Sequence, residues 1–154
     1  MAVDTQWLNE REYSAWRSYQ RMAAQLPARL NRELQAASQL SGPDFAVLVQ
    51  LTDVPEHRVR VLELAQSMQW EKSRLSHHLR RMQSRGLVTR VECPVDGRGA
   101  FVVLTEHGQA AIEQAAPAHV ATVRRLVFDE LTSEEVDVLQ TITTKVLKRL
   151  EADR

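Results

Sequence analysis

Between Glu71 and Arg85 the chain gathers a dense set of hydrogen-bond donors: Lys72, Ser73, Arg74, Ser76, His77, His78, Arg80, Arg81 and Ser84. Leu75, Leu79 and Met82 fall at i, i+4 and i+7 within it, the apolar stripe of one helix. At about 100° per residue, Ser73, His77, Arg80 and Ser84 point away from that stripe. Arg74 and Arg81 flank them on one side and Ser76 on the other. After Glu71 the stretch holds no acid. A face of donors and cations without a carboxylate suits phosphate oxygens and base edges in a major groove. The plainer use of such a run is a solvated surface, but surface helices usually mix both charge signs.

Other chemistry finds less support. There is no Gly-rich phosphate loop, no H-E-x-x-H and no nucleophile motif, and the carboxylates scatter along helical surfaces, so catalysis is not expected. His77 and His78 are adjacent and diverge by roughly 100°, which does not suit one ion. His57, His107 and His119 are spread through the chain without i, i+4 partners, so neither a metal nor a cofactor is expected. His77 is read as facing nucleic acid and His78 as lying at the groove or core margin. Cys93 has two readings, a thiol sensor on the strand entering a hairpin or a small strand residue with no redox duty.

The elements that must position the basic helix follow from its flanks. Val61 to Ser67 reads as a shorter helix with Leu62, Leu64 and Ala65 inward, turning at Met68-Gln69-Trp70 into the basic one. Gly86 stands where a helix ends on a residue with positive φ. Leu87, Val88 and Val91, then Phe101 to Leu104, read as two strands around the turn cluster Pro94 to Gly99, with Asp96-Gly97 a hairpin signal. Helix, turn, basic helix and hairpin in that order make a winged helix-turn-helix. An arginine at the hairpin tip, Arg98, could enter a narrow minor groove. Arg90 and Asp96 either pair across the base of the wing or touch nucleic acid directly.

The run Arg85-Gly86-Leu87-Val88-x-Arg90, then Asp96-x-Arg98, then Leu104-Thr105-x-x-Gly108 resembles the MarR family of bacterial transcriptional regulators, over about Trp7 to Leu150. The resemblance implies a homodimer on a pseudo-palindromic operator of double-stranded DNA, with Ser76 matching the usual recognition-helix Thr and Arg98 the wing Arg. His77 stands where Arg is common, and the helix-turn-helix bend lacks the glycine often found there. It also implies a small, often aromatic effector between the dimer helices and the DNA-binding lobe. Trp16, Tyr19 and His119 are where such a pocket would be sought. Peroxide-sensing relatives carry their reactive Cys near the N-terminus, where this chain has none.

The whole chain agrees in scale. Its 154 residues suit a single domain, with 20 Lys+Arg against 20 Asp+Glu. That balance is uneven: residues 70 to 100 carry seven Lys and Arg against three Asp and Glu. A basic module in an acidic frame favours local contact with a polyanion over general adhesion. One cysteine excludes an intrachain disulfide and suits a reducing compartment. The first residues do not resemble a signal peptide and no stretch approaches the ~18 apolar residues of a membrane span, so a soluble cytoplasmic protein is expected.

Either side of the module lie long amphipathic segments. Residues 6 to 36 read as one helix through Pro27, with Trp7, Tyr13, Trp16 and Tyr19 in it. Its aromatics belong to a dimer interface or core, or to a cavity wall. Ser41 and Asp44 form a capping box for a helix ending near Thr52-Asp53, with Phe45, Leu48, Val49 and Leu51 inward. Thr105 caps a helix running to about Asp129, and Thr132-x-x-Glu135 opens a last one with Val136, Leu139, Ile142, Val146, Leu147 and Leu150 along one side.

The expected architecture is mainly α with a small β-wing: a DNA-binding lobe at about 41–104 and dimerisation helices at about 6–36 and 105–151. Phosphate contacts fall to Lys72, Ser73, Arg74 and Arg81, and base reading to Ser76, His77 and Arg80. Gly97 and Asp96 shape the wing. The rival reading is a winged-helix module whose basic face meets an acidic protein.

Overall fold

The computed structural model describes residues 5–92 and 99–154. Its elements are α1 (Glu10–Ala37), α2 (Gly42–Thr52), β1 (Arg58–Arg60), α3 (Val61–Met68), α4 (Lys72–Ser84), β2 (Val88–Glu92), β3 (Ala100–Leu104), α5 (Glu106–Val123), a π-helical turn (Arg124–Phe128) and α6 (Ser133–Ala152). Mainly α with a small antiparallel sheet, it is the winged helix-turn-helix order expected. The chain divides into two compact units, the first ending at Ala116 and the second running from Pro117 to Arg154.

The first unit is built on α2, α3 and α4 against the sheet, whose strand order is β1-β3-β2. Val59 pairs with Val102 across one edge, and Arg90 with Val102 across the other. Val102 is therefore central, and it is fully buried with Leu48, Leu51, Leu64, Leu75, Leu79 and Met82. Each such side chain contributes on the order of 1.5–3 kcal/mol through its removal from water. In α2 the expected inward set is extended by Val47, which is fully buried.

Caps read locally from the sequence are present. Ser41 Oγ accepts from the Asp44 N–H at 3.1 Å, while Asp44 Oδ2 accepts from the Ser41 N–H at 2.9 Å. Thr132 and Glu135 form the same reciprocal pair at the start of α6. Two expectations need correcting. α1 begins at Glu10 rather than residue 6, because Asn9 and Glu12 close a capping box there; Trp7 therefore lies before the helix. In α3, Leu62 is 53 % exposed and Val61 takes its place inward, since Val61, Leu64 and Ala65 share the i, i+3, i+4 face. α1 passes unbroken through Pro27.

In the second unit the helix of α5 continues as the π-helical turn, where the Asp129 N–H reaches the Arg124 carbonyl at 2.8 Å. None of the described residues of α6 is buried, and Val138, Ile142, Val146, Leu147 and Leu150 are all more than half exposed. Among the described residues, no helix is long and apolar enough to cross a membrane.

Candidate nucleic-acid interface

Two matching chain reversals set the position of α4. Before it, α3 ends on Gln69 in the left-handed conformation (φ 55°), with the Trp70 N–H donating to the Ala65 carbonyl at 2.9 Å and the Gln69 N–H to Gln66 at 3.2 Å. The missing glycine of the bend is thus replaced by a glutamine in glycine's conformation. After α4, Gly86 (φ 76°) does the same: its N–H reaches the Gln83 carbonyl at 3.0 Å, and the Leu87 N–H reaches Met82 at 3.1 Å. This is a Schellman ending, with the buried Met82 and Leu87 as its apolar pair.

Held this way, α4 buries Leu75, Leu79 and Met82 completely. Lys72, Ser73, Arg74, His77, Arg80 and Arg81 are exposed, and Ser76 is half-buried. The outward set expected from periodicity is therefore present on one surface. Arg74 is ordered from behind: its guanidinium lies 4.1 Å from the Trp70 ring centre, a cation–π contact.

His78, read at the groove or core margin and counted with the DNA-contacting residues, takes the core side. It is 7 % exposed and turned inward, because it lies between Leu75 and Met82 on the buried side of the helix. Its Nε2 lies 3.0 Å from Oδ1 of Asp44, itself 3 % exposed, and its ring meets Trp70 edge-on at 5.5 Å. Asp44 Oδ2 also accepts from Arg85 Nη1 at 2.7 Å, and Arg85 Nη2 donates to the Gln39 carbonyl. Burial by itself would raise the Asp44 carboxyl, but the close contact with His78, hydrogen bonds from the Ser41 backbone and Arg85, and the Arg85 charge outweigh it. They hold the group well below the usual carboxylate range. This network was missed by sequence reasoning. Asp44 was identified only as a cap, and nothing in the spacing shows that the same carboxylate reaches residues on α4.

On the sheet, Arg58 and Arg60 both lie over the Phe101 ring, at 4.2 and 4.6 Å from its centre, adding two cations the sequence reading did not single out. Arg90 is half-buried on β2. Cys93, Asp96, Gly97 and Arg98 fall outside the described residues, and with them the wing-tip arginine and the Arg90–Asp96 pairing.

Residues 38–99 match the model of the MarR family. AbsC, a MarR family transcriptional regulator from Streptomyces coelicolor, is 37 % identical with a TM-score of 0.88, over 96 % of this chain and 99 % of that one. Sco3205, from the same organism and solved in complex with DNA, is 38 % identical with a TM-score of 0.90, over 97 % and 93 %. The transcriptional regulator HosA of Escherichia coli O111:H- is 31 % identical over 134 residues, 86 % of this chain and 94 % of that one. This chain belongs to the MarR family.

As a MarR-family chain it also explains part of its own motif. Thr105 Oγ1 donates toward the carbonyls of Gly86 (2.6 Å) and Leu87 (3.0 Å) and accepts from the Gly108 N–H at 2.9 Å. Leu104-Thr105-x-x-Gly108 is thus the clamp that joins the end of α4 to the start of α5. Of the residues expected to line an effector pocket, Trp16 and Tyr19 stack at 5.5 Å and are 49 % and 53 % exposed. His119 lies in the second unit, half-buried, and burial pushes its imidazole pKa down. The described residues contain no group of three or more His, Cys, Asp or Glu able to hold a metal ion.

Proposed function

We propose that this transcriptional regulator acts as a homodimeric repressor, setting α4 of each copy into successive major grooves of a pseudo-palindromic operator and excluding polymerase from an overlapping promoter. The observation that carries the proposal is the outward surface of α4: Lys72, Ser73, Arg74, His77, Arg80 and Arg81 exposed on one helix with no carboxylate beyond Glu71. Lys72, Ser73, Arg74 and Arg81 are assigned to phosphates. Ser76, His77 and Arg80 are assigned to base edges, and Arg98 to the minor groove. Sco3205, similar over nearly the whole chain and solved with DNA, supports the same use. The protein is read as a binder rather than a catalyst.

Dimerisation is supported by the apolar surface each terminal region leaves open. On α1, Tyr13, Trp16, Tyr19 and Met22 are about half exposed, and on α6 so are Val138, Ile142, Val146, Leu147 and Leu150. Contiguous exposure on this scale marks an interaction surface. A two-fold pair also provides two reading heads about one DNA turn apart, ~34–36 Å. The regulatory part of the proposal is a small aromatic effector that meets Trp16 and Tyr19, whose exposed stacked rings can accept a third.

The test pairs solution mass with duplex binding. A dimer whose binding is lost when Ser73, His77 and Arg80 are changed together to alanine, with its circular dichroism unchanged, supports the proposal. A monomer, or a triple variant that binds as the parent does, overturns it.

A further inference from the structure

Arg81 is exposed, yet its Nη2 lies 3.2 Å from His78 Nδ1. A guanidinium only donates, so at this contact Nδ1 must accept, and an accepting Nδ1 leaves the imidazole proton on Nε2. Nε2 is the atom facing Asp44 Oδ1 at 3.0 Å. Arg81 therefore donates to His78, and the Nε2 side of the ring rests against the Asp44 carboxylate at ion-pair distance, outside hydrogen-bond geometry. The second carboxylate oxygen is held by Arg85 at 2.7 Å and the Ser41 N–H at 2.9 Å, so Asp44 itself is anchored in the first turn of α2. Trp70 closes the other side of the imidazole.

We infer that Asp44 and His78 are positioning residues for DNA binding: the Asp44 carboxylate and Trp70 fix the His78 ring, and the ring, a relay by contact, orients the Arg81 guanidinium from behind so that its remaining N–H groups meet a backbone phosphate. Resting on the proposed use of α4, the inference adds residues that never touch DNA. A free arginine loses much of its side-chain freedom on meeting a phosphate. One already tethered through Nη2 loses less, and it keeps four donors for the phosphate. Arg74 is tethered in parallel by Trp70, so the two flanking cations of α4 are both held from the protein interior.

Glutamine at position 78 has one acceptor and one donor group and could replace the imidazole in this relay, whereas leucine fills the space without either. The experiment is a titration of the full-length protein against its selected duplex over a series of salt concentrations. It is run for wild type, His78→Leu, His78→Gln and Arg81→Ala, and for the double variant His78→Leu/Arg81→Ala. His78→Leu should bind about tenfold more weakly, with the slope of log K against log salt reduced by about 0.9 per reading head, the loss of one phosphate contact. His78→Gln should restore both affinity and slope. His78→Leu should add nothing further in the Arg81→Ala background. A weakened His78→Leu protein with the parental salt slope, or additive losses in the double variant, would mean that His78 serves only the fold, and would overturn the relay. If wild type selects no duplex, the reading of α4 falls and the relay with it. If wild type binds and the His78 variants follow it unchanged, the relay alone falls.

Discussion

Gly108 stands so close to Leu87 that a Cβ on it would penetrate the Leu87 backbone carbonyl, and it would also lie 2.9 Å from Leu104 Cδ1. The start of α5 can approach the end of α4 this closely only with a bare backbone. Gly108→Ala must therefore push α5 away from the Thr105 clamp. Overpacking of this kind costs about 2–3 kcal/mol, a fall in Tm of roughly 5–10 °C for a chain of this size. Thermal denaturation of the variant checks it; an unchanged Tm would show that α5 shifts without cost.

The bend before α4 makes a second demand on conformation. Gln69 holds φ 55°, where a β-branched side chain is strained and glycine is not. Gln69→Ile should destabilise by about 1–2 kcal/mol, while Gln69→Gly should stay within about 0.5 kcal/mol of the parent despite losing the 2.6 Å bond from Nε2 to the Gln66 carbonyl. Denaturant unfolding of the two variants separates the outcomes, and equal losses would contradict the assignment.

These two positions show what the sequence made legible. Caps and turns whose partners lie three or four residues apart could be read directly: Ser41 with Asp44, Thr105 with Gly108, Thr132 with Glu135, and Gly86 at the end of α4. The three-residue spacing of Asn9 and Glu12 carried the same signal, but the aromatic periodicity running past it obscured the start of α1. Leu62 was misplaced because hydrophobicity alone does not set the phase of an eight-residue helix. For His78, read at the groove or core margin, the spacing could not decide between the two. An imidazole at the edge of the apolar stripe turns inward only if something polar waits there, and that partner, Asp44, is 34 residues away along the chain. Long-range polar pairing leaves no periodic trace.

Asp44 also predicts a pH dependence. Its usual value is 3.8 and the folded state holds it lower, so between the two the unfolded chain binds a proton that the folded chain does not. The stabilisation is complete above about pH 5 and is lost as pH falls from about 4 through the depressed native value. Urea midpoints measured from pH 6 down to pH 3 should fall more steeply for the parent than for Asp44→Asn, which should be weaker at neutral pH by about 3 kcal/mol for a broken buried pair. Parallel curves would remove Asp44 from the account.

For specificity, His77→Ala should cost on the order of 1–3 kcal/mol on the preferred site and relax the base preference at one position in each half-site. Comparing selection profiles of parent and variant tests this. An unchanged profile takes His77 out of the reading set and leaves Ser76 and Arg80.

The most direct measurement is selection from random duplexes by the purified protein. The account predicts enrichment of a two-fold palindrome whose half-site centres lie about 10–10.5 base pairs apart, the spacing of two α4 helices on one face of the duplex. No enrichment, with weak binding that disappears at moderate salt, would leave only the sequence-independent phosphate attraction, contradicting the account in favour of an acidic protein as the partner of the basic face.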